Sequence, residues 1–446
     1  MNISSLARVS TETRDRDAAA PTPAPSPAAQ AVSPPAARLR WLDALRGIAV
    51  LAVVYEHFSA YLFPGVKQAT VQWVHAGTFG VTLFFLVSGY IVPASIERRG
   101  SLRHFWIGRL FRLYPAFLIT IAGAAVVAQI ASRPGVPDDL FDKTLTTVLG
   151  HLTMLQDILG VANVQYQFWT LTYEMLFYLI VTVVFVFGVH RFSAEIALLL
   201  SAAAIALGSV LPVRAFAGDP LALRNLVLIT GLVLLIGVTA VSSRRRAIVV
   251  AGALLLGSGV VALLGGNQAK GGWEGFVILA VMFTGTALYR AEQGQIAKWR
   301  AVPAVVAVLT ATVIGTYGYG NMWNMVGKFP ADRSWTGGLL LAFVFFGLGM
   351  ALRHKPVPGW LSWIGAISYS VYLLHYLVLA LAGDLLRGSV EEPLPLKLAL
   401  TVGYLTAVLL VSWLCYRAVE LPFQSMGRKL SKRLDAGAPK PASAPA

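Results

Sequence analysis

The sequence predicts an all-α fold, a polytopic membrane helix bundle with about 10–12 transmembrane helices. The first observation is composition: 57% of the 446 residues are hydrophobic and only 13% are charged, whereas about a quarter of the residues in a soluble domain are charged. The second is that apolar runs of about twenty residues, the length that crosses hydrocarbon, recur along nearly the whole chain. The third is that Lys and Arg are concentrated in short clusters between these runs.

Twelve apolar runs meet the length criterion for a spanning helix. They lie near residues 41–63, 78–96, 113–131, 167–189, 193–212, 223–242, 247–265, 274–290, 301–319, 335–352, 362–383 and 397–416. A further segment, near Thr144 to Gly160, is amphipathic, and we expect it to lie in the membrane interface.

Both ends of the chain differ in composition from this central part. Residues 1–37 are rich in Ala and Pro and predict a disordered tail, because they offer too little apolar surface to offset the entropy of ordering. Residues 38–425 form the predicted membrane domain. Residues 426–446 begin with a basic stretch and end in "DAGAPKPASAPA", which predicts a second disordered tail.

The formal charge of +15 predicts orientation in a membrane rather than a nucleic-acid partner, since the basic residues form no stripe beside aromatic residues. With the N-terminus in the cytoplasm, the even-numbered loops are basic, as in "ERRGSLRHFWIGRLFR" and "SSRRRA". Most loop acids then fall on the other side. The charge bias therefore predicts an inner (cytoplasmic) membrane protein, in contact with lipid, with both termini cytoplasmic.

The first predicted span, "RWLDALRGIAVLAVVYEHFSAYLF", carries ionisable residues where charge is costly. Arg46 and His57 are eleven residues apart, so they share one helix face, with Asp43, at an axial separation of roughly 16 Å. Arg46 is expected at the cytoplasmic edge and His57 towards mid-membrane. The simpler alternative is that Arg46 only reaches the headgroups and that His57 is hydrogen-bonded within the bundle.

The Arg46–His57 spacing suits a thioester donor such as acetyl-CoA, which has anionic phosphates at one end and a reactive carbonyl at the end of a flexible arm. Arginine binds phosphate through the paired N–H groups of its guanidinium. A histidine deeper in the membrane can take the proton of an attacking hydroxyl. The geometry of this one helix is therefore compatible with acyl transfer.

Six ordered motifs resemble the integral-membrane acyltransferase-3 family of O-acyltransferases. They are "LDALRGIAVLAVVYEHF", with the Arg-x10-His pair on Arg46 and His57, "GTFGVTLFFLVSGYIV", "FWIGRLFRLYPAF", with Arg109 and Arg112, "QFWTLTYEMLFYL", with Glu174, "ISYSVYLLH", which ends on His375, and "VELPF". The chain departs from the family pattern at Thr82, Met175 and Leu421, and the family core is usually drawn with about ten spans.

The resemblance implies one catalytic cavity and a role for each motif. His57 would be the general base or a transient acyl carrier, and Glu174 would orient His57 or grip the acceptor. Arg46, Arg109 and Arg112 would bind the phosphates of acyl-CoA. Arg109 and Arg112 fall between the second and third predicted spans, where a structural ion pair or a plain basic loop are the alternatives.

Three further residues are candidate contacts of the acceptor substrate. Tyr178 lies one turn beyond Glu174, and Tyr372 and His375 share a face of the eleventh predicted span with Ser368. A hydrogen-bonded packing histidine is the alternative for His375. The histidines lack metal-ligand spacing and Cys415 is the sole cysteine, so we predict no metal site and no disulfide framework.

The resulting expectation is an enzyme that moves an acyl group, most simply acetyl, from acyl-CoA to a hydroxyl of a carbohydrate or a glycosylated small molecule. A proton-coupled multi-pass transporter is the alternative, because about twelve spans with mid-membrane His and Glu also suit a carrier. A membrane subunit that only scaffolds other proteins is a third possibility. The sequence does not predict the oligomeric state.

Overall fold

The computed structural model of this chain describes residues 40–130, 142–269, 271–319 and 331–436. The predicted N-terminal tail, residues 1–37, and the end of the predicted C-terminal tail lie outside these ranges. Regular secondary structure in the described ranges is helical, as the composition predicted, with one isolated bridge between Val213 and Gln268.

Seventeen α-helices are numbered in chain order within the described residues. They are α1 (Arg40–Leu62), α2 (Pro64–Val71), α3 (Ala76–Arg99), α4 (Leu102–Ile130), α5 (Thr144–Leu152), α6 (Gln156–Leu159), α7 (Trp169–Val186), α8 (Ser193–Leu207), α9 (Pro220–Val241), α10 (Arg246–Gly266), α11 (Gly272–Glu292), α12 (Ala301–Ile314), α13 (Ala331–Ala351), α14 (Gly359–Ala366), α15 (Ser368–Gly388), α16 (Leu394–Cys415) and α17 (Leu421–Ala436).

Twelve helical segments of the described chain are long and apolar enough to cross a membrane, and each one overlaps one predicted span. The third span begins much earlier than predicted, because α4 already starts at Leu102. Arg109 and Arg112 therefore lie on this helix, about two to three turns from its start, and not in a loop. The prediction of a loop was wrong because the arginines lower the local hydropathy, although the bundle buries part of each side chain.

The centre of the bundle is formed by α11, which packs against α3 and α8, and by α1, which packs against α3. Every residue from Gly272 to Ala287 is buried. Gly89 on α3 directly faces the backbone of Met282 on α11, where a larger side chain has no room. Small residues that let two backbones approach are characteristic of helix packing in membranes, so Gly89 is a close-packing point between α3 and α11.

The outer helices expose apolar side chains in the way that a lipid-facing surface requires. On α9, Leu232 and Leu235 are 56% and 68% exposed, while only four residues of the helix are buried. In hydrocarbon these leucines cost nothing to expose, since lipid tails are as apolar as the side chains themselves.

The segment from Thr144 to Phe168 begins on a partly exposed helix, of which Thr147, Gly150 and His151 are buried, and continues into the bundle. It consists of α5, α6 and a 3₁₀ turn at Tyr166–Phe168, and all four residues of α6 are buried. The imidazole of His151 joins two parts of the segment: Nδ1 lies 2.8 Å from the Thr147 carbonyl, and Nε2 accepts a hydrogen bond of 3.1 Å from the amide of Val164. The segment leads directly into α7, which carries Trp169 and Glu174.

The basic stretch after residue 425 is helical. A π-helical turn at Tyr416–Glu420 links α16 to α17, which continues to Ala436. Gly427 of α17 packs close to Phe111 of α4, so the C-terminal helix is held against the helix that carries Arg109 and Arg112.

We predict that His151 makes the stability of the protein depend on pH. Burial lowers the pKa of His151 from 6.5 to about 4. Between these values the unfolded state binds a proton that the folded state does not, so the free energy of unfolding falls as the pH is lowered from 6.5 towards 4. His151→Gln should make the decline of melting temperature over this range less steep.

Melting curves in detergent at a series of pH values test this prediction, with His354→Gln as the matched control because His354 is exposed. The control should keep the wild-type slope. Equal slopes in the wild type and His151→Gln would contradict the assignment of His151.

Candidate functional site

A cavity of about 250 Å³ lies beside His57 and is called here the His57 cavity. Its walls come from α1, α2, α3, α7, α11, α13 and α15 and from the 3₁₀ turn before α7, so segments that are far apart in sequence line it. Most of its lining is apolar or aromatic. The aromatic members are Tyr61, Phe85, Tyr166, Trp169, Trp335, Tyr372 and Tyr376.

His57 lies in the wall of this cavity and is paired with a second histidine. Its Nδ1 is 3.0 Å from Nε2 of His375, and the edges of Tyr166 and Tyr376 face its ring at centroid distances of 5.9 and 5.4 Å. His375 is fully buried and is not part of the cavity lining. The structure therefore places His375, predicted to contact substrate, behind His57.

A charged cluster that the sequence analysis missed lies at the same cavity. One oxygen of the buried Glu56 carboxylate is 2.7 Å from Nζ of Lys67 and 3.3 Å from Nε2 of His75, and the other accepts a hydrogen bond from the amide of Gly77. Burial lowers the pKa of His75. Nδ1 of His75 accepts a hydrogen bond from the amide of Thr78, so a neutral His75 donates to Glu56 through Nε2.

A second cavity, of about 80 Å³, lies around Arg46 and is called the Arg46 cavity. The structure brings the three arginines proposed from the sequence together here, since Arg46, Arg109 and Arg112 all line it. Glu174 and Ser368 line it as well. The lining thus combines three guanidinium groups with one carboxylate, which is a composition suited to an anionic ligand.

Neighbouring residues hold Arg109 in place. The guanidinium of Arg109 lies over the rings of Tyr178 and Phe105, 4.9 and 5.2 Å from their centroids, and donates to the Ser95 hydroxyl at 3.4 Å. The Tyr178 hydroxyl donates to Glu174. Tyr178 is fully buried and lines neither cavity, so the structure places it as a support for Arg109 and Glu174.

Glu420, in the "VELPF" motif, is a second acid of this region that the sequence analysis did not single out. It is 3% exposed, accepts a hydrogen bond from the Ser370 hydroxyl, and interacts electrostatically with Arg46 and Arg112. Asp43 also interacts with Arg46. Buried charges are stable in a protein only when they are paired and hydrogen-bonded, so these acids explain how three arginines coexist within the bundle.

Glu174 and His57 line different cavities, so Glu174 is not placed as a partner of His57. It lines the Arg46 cavity, whereas His57 lines the other cavity and is hydrogen-bonded to His375. Trp169, five residues earlier on the same helix, does line the His57 cavity, as does Thr82. Helix α7 therefore passes from one cavity to the other.

The two cavities adjoin, which differs from the single cavity expected from the sequence. Val81, Phe85 and Tyr372 line both, and we call these three side chains the septum. The hydroxyl of Tyr372 donates to the carbonyl of Gln167 at 2.8 Å and lies 2.7 Å from Oγ1 of Thr170. Arg46 and His57 thus share one face of one unbroken helix but lie on opposite sides of the septum.

No group of three or more His, Cys, Asp or Glu side chains that could hold a metal ion occurs among the residues with a described structure.

Comparisons with known proteins agree with the motifs. The family model described as an acyltransferase domain, that of the acyltransferase-3 family, matches residues 39–246 and 226–417. No solved structure matches the chain significantly.

Three curated relatives share 24–30% identity with the aligned parts of the chain. "Acyltransferase MdmB" of Streptomyces mycarofaciens is 30% identical over 33% of this chain and 39% of its own length. "Putative peptidoglycan O-acetyltransferase YrhL" of Bacillus subtilis is 24% identical over 88% and 56%, respectively. "O-acetyltransferase OatA" of Staphylococcus aureus is 27% identical over 40% and 30%.

The chain therefore spans less than two thirds of the length of each of these relatives. The family model, in contrast, covers nearly all of the described helical bundle, from the residue before α1 to the π-helical turn that precedes α17. The helical architecture, the ordered motifs and this match establish that the chain belongs to the acyltransferase-3 family.

Proposed function

We propose that this protein is an O-acyltransferase of the inner (cytoplasmic) membrane that moves an acyl group, most simply acetyl, from acyl-CoA to a hydroxyl of a carbohydrate or a glycosylated small molecule. The observation that carries the proposal is the pair formed by Arg46 and His57. They lie roughly 16 Å apart on one helix, and each lines one of two adjoining cavities.

The Arg46 cavity supports the donor part of the proposal. Arg46, Arg109 and Arg112 present guanidinium groups from two helices to one space, and guanidinium groups bind phosphate oxygens through paired N–H donors. With both termini in the cytoplasm, as the loop charges indicate, this cavity lies towards the cytoplasmic side, where acyl-CoA is available. The reactive end of the donor would then extend across the septum towards His57.

The chemistry assigned to His57 is general-base catalysis. Nε2 accepts the proton of the acceptor hydroxyl while the hydroxyl oxygen forms a bond to the acyl carbon. The carbon–sulfur bond then breaks, the electron pair leaves on sulfur, and the proton on Nε2 passes to the thiolate. The products are an ester and free CoA. In the variant of this reaction in which His57 carries the acyl group, Nε2 bonds to the acyl carbon first and the carbon–sulfur bond breaks, which releases the CoA thiolate. The acceptor oxygen then bonds to the acyl carbon, the carbon–nitrogen bond breaks, and the hydroxyl proton ends on the thiolate.

The His57 cavity supports a hydroxyl-rich acceptor. Its aromatic walls offer flat apolar faces, and the side chain of Gln167 in the lining has an amide oxygen without a hydrogen-bond partner among the described residues. Aromatic surfaces with a few placed polar groups are typical of small-molecule sites. The peptidoglycan named for the Bacillus subtilis relative is one acceptor of this class.

We predict that His57→Ala abolishes acyl transfer without loss of donor binding. General bases contribute roughly 10²–10⁴-fold in rate, and His57 lies outside the Arg46 cavity. Mass spectrometry of envelope glycans and secreted metabolites, with and without the gene, detects the transferred group in cells. Titration of the purified protein with CoA measures donor binding. Full activity of His57→Ala would contradict the proposal, and the exposed His354→Ala is the control.

The complementary prediction is that Arg46→Gln weakens CoA binding. The loss of hydrogen bonds to a charged group costs about 1.5–3 kcal/mol, which corresponds to a rise in Kd of roughly 10- to 100-fold. Arg244→Gln serves as the control because Arg244 is exposed and lines neither cavity. An unchanged Kd in Arg46→Gln would contradict the donor site.

A transport assay separates the proposal from the carrier alternative. Wild-type protein that binds no CoA but carries a glycosylated solute across vesicles in exchange for protons would favour the transporter. Release of free thiol from acetyl-CoA by the purified wild type, absent in His57→Ala, would favour the enzyme.

A further inference from the structure

We propose that His375 is a positioning residue, which holds His57 in the tautomer with its proton on Nδ1 and its lone pair on Nε2. The inference rests on the proposed function, because it specifies how His57 is prepared to act as a base. It assigns His375 a role different from the substrate contact that the sequence indicated.

A backbone carbonyl determines which nitrogen of His375 carries the proton. Its Nδ1 lies 3.1 Å from the carbonyl oxygen of Val371. A carbonyl oxygen only accepts hydrogen bonds, so Nδ1 of His375 carries a proton. In a neutral imidazole the other nitrogen is then an acceptor. Nε2 of His375 therefore presents a lone pair.

The lone pair on Nε2 of His375 determines which nitrogen of His57 carries the proton. Nδ1 of His57 is 3.0 Å from Nε2 of His375, and since the latter is an acceptor, Nδ1 of His57 is the donor. Neutral His57 consequently has no proton on Nε2. The other hydrogen bond of the His57 ring is with the backbone carbonyl of Val53 on the same helix, and the ring lines the His57 cavity.

Neighbouring side chains keep His375 in place. The ring is fully buried, and Tyr372 and Tyr376 lie beside it at centroid distances of 6.1 and 6.3 Å. The hydroxyl of Tyr404 donates to the backbone carbonyl of His375 at 3.1 Å. Partners of this kind fix both the orientation and the tautomer of a functional histidine.

In the proposed reaction, His375 stabilises the positively charged form of His57. When Nε2 of His57 takes the acceptor proton, the ring becomes an imidazolium with a proton on each nitrogen. Its Nδ1 proton remains hydrogen-bonded to the neutral Nε2 of His375, which stabilises the positive charge until the proton on Nε2 passes to the leaving thiolate. His375 itself neither gains nor loses a proton overall. Without it, His57 populates the other tautomer, which has no lone pair facing the cavity.

The first test is spectroscopic and does not require the acceptor. In protein labelled with ¹⁵N-histidine and reconstituted in lipid bilayers, the wild type should show His57 with an unprotonated Nε2 and a protonated Nδ1. The resonance is assigned by its absence from His57→Ala. In His375→Leu a substantial share of His57 should shift to a protonated Nε2. A wild-type His57 protonated on Nε2, or a tautomer unchanged in His375→Leu, would overturn the inference, since the Val53 carbonyl near this ring would then suffice.

The second test uses rescue by a conservative variant. His375→Leu should lower kcat for acyl transfer by roughly 100-fold, the lower end of what a general base contributes, with KM for the donor nearly unchanged. His375→Gln should recover much of this loss because its amide oxygen can accept from Nδ1 of His57. Equal losses in both variants would overturn the inference.

A control histidine separates positioning from loss of stability. His151 is also buried and hydrogen-bonded at both nitrogens, so His151→Leu should destabilise the fold but leave the His57 resonance unchanged. If His57→Ala is inactive while His375→Leu keeps the wild-type tautomer and kcat, only the positioning role fails. If His57→Ala is fully active, the proposed function fails.

Discussion

The cost of placing ionisable groups inside an apolar bundle is the constraint on which this structure depends. Helix α1 carries Arg46, Glu56 and His57, and none of these side chains can be isolated in a medium of low dielectric constant without a large penalty. The structure gives each a polar environment: acids of α7 and the π-helical turn near Arg46, Lys67 and His75 at Glu56, and His375 at His57. These polar and charged groups contribute to the lining of both cavities.

The septum separates two cavities that differ in the side chains that line them. Cationic groups are concentrated on the Arg46 side, and the paired histidines on the His57 side, while Val81, Phe85 and Tyr372 separate them. In the function proposed above, the arm of the donor would pass these three side chains, and their apolar surface would keep water away from a thioester. The hydroxyl of Tyr372 is hydrogen-bonded to Gln167 and Thr170, so the septum is tied to the start of α7 and the turn that precedes it.

The features that the sequence predicted correctly are those that depend on local periodicity. Twelve described helical segments long and apolar enough to cross a membrane overlap the predicted spans, although α4 begins earlier than expected. The eleven-residue spacing of Arg46 and His57 places both on one face of α1, because helix geometry alone fixes such a relation. The early start of α4 was missed because hydropathy assigns Arg109 to a loop, and only tertiary packing shows that Tyr178 and Phe105 cover its guanidinium.

Contacts between distant segments could not be predicted in the same way. The pairing of Glu56 with Lys67 depends on the fold of α2 against α1, and that of Glu420 with Arg46 on contacts between opposite ends of the chain. His57 and His375 are 318 residues apart. Their pairing follows from how α15 packs against α1, and the position of Glu174 on the far side of the septum follows from how α7 packs against α3 and α11. The periodicity of a single helix contains neither relation.

The most direct test of the central claim is an experimental structure of the protein bound to a non-hydrolysable acetyl-CoA analogue. We expect phosphate oxygens to contact Arg46 together with Arg109 or Arg112, the arm to pass between Val81, Phe85 and Tyr372, and the acyl carbonyl to lie beside Nε2 of His57. An analogue bound with its phosphates away from these arginines, or with its arm stopped by the septum and its acyl group remote from His57, would contradict the account.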